Sequence, residues 1–394
     1  MSGENNNVKN YDILYVDNSE KLHKLCDCIK DATLLILDTE FIREKTYRAK
    51  LCLIQIATYD IVACVDPIAL NDIKPLMDII NDKSKIKILH AARQDYEIFY
   101  DINNELPQPL FDTQLAASLL GYGEQVGYGA LVGKVLGVQL DKAHTRTDWS
   151  KRPLNKEQIR YASDDVYYLR QLYPLLKKQL SELGREHWLD EEFDALCQPE
   201  LFITHPEDAW NKVKGINRLR PRQLAAAKKI AQWREAVAIE KDRPRKWILA
   251  DDILLAAAQL LPKNINQLKT ITNINKSTIE NSGNIILECV KDALDLDESE
   301  LPSTKKTKRL TADQEIIAEL LLTQLKLLAN EQNISPANIA NRKMIEKLIY
   351  GEQDIPLLNG WRYQLAGKNI QDLLSGKFGL RIENNKVVPL KCNN

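Results

Sequence analysis

The segment Leu34-Leu-Ile-Leu-Asp-Thr-Glu-Phe41 decides how the first half of the chain is read. Leu34–Leu37 is an apolar run of strand length, and it stops at two acids, Asp38 and Glu40, spaced two apart. Side chains alternate along a strand, so both carboxylates leave the same face at its end. Two more runs follow at once: Leu51–Thr58 and, after a two-residue turn, Ile61–Val65. Strands so close together are predicted to be antiparallel neighbours, because a parallel return takes a dozen or more residues. Ile86–Leu89 predicts a further strand running into a helix from about Ala91 to Tyr100. Leu110–Phe111 predicts a last short strand, with Asp112–Thr113 capping the next helix. Strands and helices in this alternation predict an α/β layer domain with a mixed sheet.

Beyond residue 210 the strand signals fade. Residues 217–240, 250–261 and 276–294 carry apolar side chains at i, i+3, i+4 spacing, as do 311–332, 336–349 and 361–375. Between the two helical groups Asp295–Arg309 is polar and contains Pro302, the composition of a linker. At ~150 residues per domain, 394 residues predict two or three domains. The chain is 44% hydrophobic and 28% charged, which excludes disordered and collagen-like classes. No stretch approaches the ~18 apolar residues of a membrane span, and the polar start MSGENNNVKN is not a signal peptide. Seven scattered Cys describe no disulfide framework; Cys52 and Cys64 read as core, and Cys26 and Cys28 lack a second pair at zinc spacing. A reducing cytoplasm is the expected location.

Two more acids join the strand-end pair. Asp95 falls in the first turns of the helix after Ile86–Leu89, and Asp165 lies on a helix that begins near residue 156. Tyr161 is four residues before Asp165, so phenol and carboxylate share one helical face. Asp164 points ~100° away and is read as solvated. Singly each has a plain reading: a strand-closing turn, an acid at a helix start, a half-buried aromatic. Together the four carboxylates are a like-charge cluster that is costly unless cations neutralise it. All-oxygen sites suit Mg²⁺ or Mn²⁺. Two such ions ~3.5–4 Å apart activate a water and stabilise the leaving oxygen in phosphodiester hydrolysis.

Three segments, Ile36-Leu-Asp-Thr-Glu-Phe41, His90-Ala-Ala-Arg-Gln-Asp95 and Tyr161-Ala-Ser-Asp-Asp165, resemble in order the motifs of the DEDD exonuclease superfamily. The Tyr four residues before the last Asp is the mark of its tyrosine-type branch; the His-type branch has a histidine where this chain has Arg160. Glu105-Leu-Pro-Gln-Pro-Leu110, Asp112-Thr-Gln114, Arg146-Thr-Asp-Trp149, Arg152-Pro-Leu154, Pro206-Glu-Asp-Ala-Trp210 and Gly360-Trp-Arg362 resemble the ribonuclease D family within it. The resemblance spans residues 12 to 380. It implies an α/β ribonuclease-H-like exonuclease domain over 1–205, followed by two small all-α HRDC-type domains at 206–295 and 311–394, with a linker at 296–310. It implies Asp38, Glu40, Asp95 and Asp165 as metal ligands for two divalent ions, and Tyr161 as the group that positions the attacking water. The implied reaction is metal-dependent 3′-to-5′ trimming of RNA with release of nucleoside 5′-monophosphates, tRNA 3′ maturation being the family's usual setting. The expected partner is RNA, with no membrane and no obligate protein partner. A 3′-to-5′ DNA exonuclease and a non-catalytic nucleic-acid-binding protein are the rivals.

Supporting residues are read beside these. Phe41 is a candidate for packing on the terminal base or sugar, with a core role as the alternative; His90 is a candidate for facing the cleft, with a structural role as the alternative. Asp112 is read as a helix cap. The loop from Arg43 to Lys50 holds Arg43, Lys45, Arg48 and Lys50 against one acid, Glu44, and suits a phosphate backbone. The net charge of −1 conceals opposites: eight acids and no Lys or Arg between Glu186 and Asp208, then twelve Lys/Arg against three acids between Lys212 and Lys246. That basic stripe predicts phosphate binding that weakens with salt, or else an ordinary solvated helix face. Its Trp residues are read as core, since Trp233 follows the apolar periodicity; Trp361 and Arg362 are candidates for touching RNA that the sequence places on no surface.

Overall fold

The computed structural model describes residues 11–141, 147–302 and 309–391; Arg146 and part of the predicted linker, 303–308, lie outside them. Six strands build the sheet: β1 (Leu14–Val16), β2 (Leu34–Ile42), β3 (Lys50–Ala57), β4 (Val62–Val65), β5 (Ile86–Leu89) and β6 (Leu110–Asp112), in the order β1-β4-β3-β2-β5-β6. It is mixed. β3 and β4 run antiparallel, while β2 pairs parallel with β5 (Leu34 opposite Ile86, Ile36 opposite Ile88) and β5 parallel with β6. Periodicity did not reveal β1, three residues long and pairing parallel with β4, or the helices Ser19–Ile29 and Lys74–Ile80.

β2 continues past its apolar run through Asp38, Thr39 and Glu40 to Ile42. Its Leu34 and Ile36 join Ile88 and Ala57 in a core with Val166, Tyr167, Leu169 and Leu172 of the helix Lys156–Glu182. Asp38 and Glu40 continue the Leu34–Ile36 row, and so extend along the face on which that helix packs. The helix start is fixed by a capping box: Gln158 N donates to Asn155 Oδ1 (2.8 Å) and Asn155 N to Gln158 Oε1 (2.9 Å).

The described chain forms two compact units, one of residues 1–41, 51–201 and 309–394, the other of Ile42–Lys50 and Phe202–Lys308. In the first, the C-terminal helices Ala312–Glu331, Arg342–Ile349 and Lys368–Leu374 share a core with the α/β part, Leu321, Leu325 and Ala329 packing with Ala116, Leu119, Leu180 and Leu189. The approach is tight at Gly121 (φ +82°), where a Cβ would stand 2.3 Å from the Asn333 carbonyl oxygen. Trp361 is buried here, stacked on Trp188 with centroids 4.4 Å apart, and Arg362 pairs with Glu191 and Glu192. These residues, unplaced by sequence, are thus packing groups, and part of the acidic stretch exists to meet Arg362. The chain then forms a hairpin, β7 (Phe378–Glu383) and β8 (Lys386–Lys391), turning at Asn384-Asn385, both at positive φ.

The second unit has its own core. Leu224 and Ile230 of the helix Pro221–Glu240, Leu254 of Asp251–Leu260, and Ile286 and Val290 of Lys276–Leu294 meet in it. The six described Cys are free, and no described helix is long and apolar enough to cross a membrane.

Candidate active site

The end of β2 brings Asp38 and Glu40 to the region where Asp95 and Asp165 arrive from two helices. Asp95 lies in the first turn of the helix Arg93–Asn103 and is buried. Thr39, between the two strand acids, donates its hydroxyl to Asp95 Oδ1 at 2.6 Å. The strand therefore pins the helix carboxylate beside its own pair. Asp165, two turns into Lys156–Glu182, faces the same group.

The electrostatics follow from burial and mutual repulsion. Burial, with the charges of Asp165, Asp95 and Glu40, raises the Asp38 carboxyl well above its ordinary range. Glu40 is pushed up to about 8 by burial and then by Asp165 and Asp95. Asp95 rises to about 7, burial prevailing over the stabilising Thr39 hydrogen bond. Asp165 rises to about 7 through burial, Asp164 and Asp95. Four acids that raise one another's affinity for protons form one negatively charged cluster. Among the described residues no group of three or more His, Cys, Asp or Glu side chains is drawn together as a metal cage. Repelling carboxylates have no reason to converge without cations between them. The donor set, all carboxylate oxygen, nevertheless fits hard divalent cations.

Tyr161 and Asp165 line one side of a cavity of ≈ 560 Å³, together with Tyr128, Gln139 and Leu140. The Tyr161 ring lies 6.2 Å from that of buried Trp149, inclined to it by 28°. Tyr128, which no sequence pattern marked, donates its hydroxyl to the carbonyls of Asp164 (3.0 Å) and Asp165 (2.5 Å) and so fixes the backbone that carries the acid.

Two readings change. Asp164 is not solvated: it pairs with Arg160 at 3.3 Å and accepts from the Tyr11 hydroxyl at 2.7 Å, because the N-terminal segment lays Tyr11 over the helix, stacked on Tyr167. His90 is largely buried, and both ring nitrogens are engaged, Nδ1 with Thr113 Oγ1 and Nε2 with the Val126 carbonyl, each at 3.0 Å. Burial lowers its pKa. The ring is a brace between β5 and its neighbours, which favours the structural alternative over a cleft-facing role. Phe41 is half-buried at the end of β2, directly after Glu40. Asp112 caps its helix by accepting from Gln114 N (2.7 Å) and Leu115 N (3.3 Å), and also accepts from Ala91 N (3.1 Å) and Ala92 N (2.8 Å). Ala91 stands at φ +59°, so the carboxylate holds the turn that aims Asp95 in a conformation unusual for alanine.

A family model described as 3′-5′ exonuclease matches residues 13–181, and one described as HRDC domain matches 223–290. A ribonuclease D from Bartonella henselae is 40% identical over 363 residues, covering 91% of this chain and 89% of that protein. The chain belongs to the ribonuclease D family. A second member, from Zymomonas mobilis, is 38% identical over 94% of the chain and 96% of its own length. The solved Escherichia coli RNase D, described as an exoribonuclease involved in structured RNA processing, superposes with a TM-score of 0.82 at 31% identity, covering 93% of this chain and 99% of that one. The family places the chain among the 3′-to-5′ exoribonucleases. The catalytic core of RRP6 from Trypanosoma brucei, 24% identical with a TM-score of 0.56, shares the fold.

Proposed function

We propose that this ribonuclease D family member trims the 3′ ends of structured RNA, tRNA precursors among them, from a site made of Asp38, Glu40, Asp95, Asp165 and Tyr161. The observation that carries the reading is the convergence of four carboxylates from one strand end and two helices, with Thr39 bonded to Asp95 at 2.6 Å, a cluster whose repulsion divalent cations would offset. Asp38, Glu40, Asp95 and Asp165 would hold two divalent ions, Mg²⁺ or Mn²⁺. Bound there, the ions supply charge that lowers the pKa of water and neutralises the departing 3′ oxygen.

The chain's own groups do the rest. Thr39 keeps Asp95 in register with the strand acids. The Tyr161 hydroxyl, on the cavity wall beside Asp165, orients the attacking water by hydrogen bonding. Phe41, next to Glu40, offers an apolar surface to the terminal nucleotide. The test is digestion of an end-labelled tRNA precursor with and without EDTA: successive loss of 5′-monophosphates from the 3′ end in Mn²⁺ or Mg²⁺ supports the reading, and endonucleolytic fragments refute it. An equal-sequence DNA oligonucleotide run in parallel separates the RNA from the DNA enzyme. Tyr161→Phe is expected to lower kcat by about 10–100-fold, the scale of one positioning group, with an unchanged midpoint for Mn²⁺ activation. A large shift in that midpoint instead makes Tyr161 part of the metal site.

The pKa shifts also set a pH dependence. Glu40 titrates at about 8 and Asp95 and Asp165 at about 7 when folded, against about 4 when unfolded, so the folded protein retains protons that the unfolded chain has released. Their stabilisation is complete below about pH 4 and is lost as pH rises through 7 to 8. In EDTA the Tm should therefore fall between pH 6 and 8, whereas the rise in Tm on adding Mn²⁺ should grow over the same interval. An increment independent of pH removes proton–metal competition from the site.

A further inference from the structure

Of the six Trp in the chain, Trp247 is 61% exposed, while Trp149 and Trp361 are almost fully buried and Trp188, Trp210 and Trp233 pack at core margins. The expectation that the Trp of the basic stripe are core therefore fails for this one. It sits in the short helix Arg245–Ile248, whose geometry is firmly fixed from below. Trp247 N donates to the Pro244 carbonyl at 2.7 Å and Leu249 N to that of Arg245 at 3.0 Å. Leu249 is buried, and its carbonyl accepts from the buried guanidinium of Arg234 (3.0 Å), which also holds Asp251 (2.6 Å). An aromatic ring of this size left outside on a rigid turn has no packing reason to be there.

The same unit joins two basic segments that are nearly 200 residues apart in sequence. Tyr47 N and Arg48 N both donate to Asp242 Oδ1 at 3.0 Å, and the Tyr47 hydroxyl donates to Glu235 Oε1 at 2.6 Å. Glu235 is buried and faces Arg245 at 3.7 Å, so one carboxylate ties the loop to the Trp247 helix. On the loop, Arg43, Lys45, Arg48 and Lys50 are exposed. On the turn, Lys241, Arg243 and Lys246 are exposed. The exposed acids of these segments are Glu44, Glu240 and Asp242, against the seven exposed cations just named, so most of the charge presented outward is positive. Other members of the stripe do internal work: Arg222 binds the carbonyls that end Lys276–Leu294, and Lys229 pairs with Asp292.

We infer that the Arg43–Lys50 loop and the Lys241–Trp247 turn form one single-stranded RNA-binding surface, on which Trp247 stacks an unpaired base while the surrounding cations hold phosphates. Any base offers a π-face to an aromatic ring, and flanking Lys and Arg track the backbone without reading sequence. The inference rests on the exoribonuclease reading for its choice of RNA. It adds a subsite distinct from the carboxylate cluster, for unpaired nucleotides of the substrate. Tyr47 and Asp242 act as positioning residues, holding the loop cations beside the ring.

The test uses the full-length protein in EDTA with a 5′-fluorescein 12-nucleotide RNA, read by anisotropy over a salt series, beside hydrolysis of an RNA trimer in Mn²⁺. Trp247→Ala should weaken 12-mer binding by about 5–100-fold, the range of one stacking contact, with trimer turnover unchanged and the salt slope retained. Trp247→Tyr should recover binding to within about 3-fold. Lys246→Gln should flatten the salt slope by about 0.7, the single-strand value for one phosphate contact. If Trp247→Ala binds the 12-mer as the wild type does, or if Ala and Tyr are equally weak, the surface is overturned while the exoribonuclease reading stands. A wild-type protein that hydrolyses neither RNA overturns that reading itself, and does so in a separate assay.

Discussion

Asp95→Asn should lower kcat on a 3′-hydroxyl RNA about a thousandfold or more and at the same time make the metal-free protein more stable. Both effects have one cause. Asp95 is buried, its carboxyl titrates near 7, and its neighbours Asp38, Glu40 and Asp165 are acids. At pH 8 the wild-type group is mostly ionised, at a cost set by the gap between about 7 and the ordinary value of 3.8, on the order of a few kcal/mol. Asparagine is nearly isosteric, retains an oxygen to accept from the Thr39 hydroxyl, and carries no charge. In EDTA at pH 8 its Tm should exceed that of the wild type by roughly 5 °C. The difference should shrink as the pH falls and vanish below about pH 4, where Asp95 is protonated in the folded and the unfolded chain alike. In Mn²⁺ the order should reverse, the proposed metal site having lost a carboxylate. Wild-type turnover by the variant removes Asp95 from the reacting centre. Equal Tm at both pH values would mean that Asp95 bears no unfavourable charge.

How much of this was legible in the sequence depended on whether the signal was local. The acidic row was legible because strand alternation places Asp38 and Glu40 on one face, and helix spacing places Tyr161 beside Asp165. β5 was read to the residue, since Ile86–Leu89 is bounded on both sides by polar or turn-forming residues. β1 was missed because three residues, one of them substantially exposed, cannot show a period. Tyr128 and the second role of Asp112 were hidden for a different reason: each acts on a partner far away in sequence and on another element or turn. Arg160, by contrast, stands four residues before Asp164 on one helix, a spacing open to reading. Charge was the least readable property. The stripe between Lys212 and Lys246 counts twelve cations, yet Arg222 and Arg234 serve as internal braces. Cations of the distant Arg43–Lys50 loop join the turn instead, and only the fold reveals which positive charges share a surface.

Arg152→Ala should be the most destabilising single change near the site. Arg152 grips Asp66 with two nitrogens, Nε to Oδ2 at 2.5 Å and Nη2 to Oδ1 at 2.7 Å, and also donates to the carbonyls of Trp149 (2.7 Å) and Cys52 (2.6 Å). Asp66, 1% exposed, further accepts from the Tyr15 hydroxyl at 2.6 Å. One ion pair thus fastens the ends of β1, β3 and β4 to the segment that leads into the helix bearing Tyr161 and Asp165. Removing the guanidinium leaves a buried carboxylate without its cation, a loss of about 3–5 kcal/mol, or a fall in Tm of roughly 10 °C. Hydrogen bonds from Arg152 hold the Asp66 carboxyl below its usual range despite burial. The stability it lends is therefore present at neutral pH and lost as pH falls through that lowered value. Wild type and variant should accordingly converge in acid because the wild type loses stability there, whereas wild type and Asp95→Asn converge because the wild type gains it. Arg152→Lys keeps the charge but not the planar fork, and should recover less than half of the loss. Full recovery by lysine would reduce the contact to simple charge pairing, and an Arg152→Ala Tm within 2 °C of wild type would remove it as the clamp.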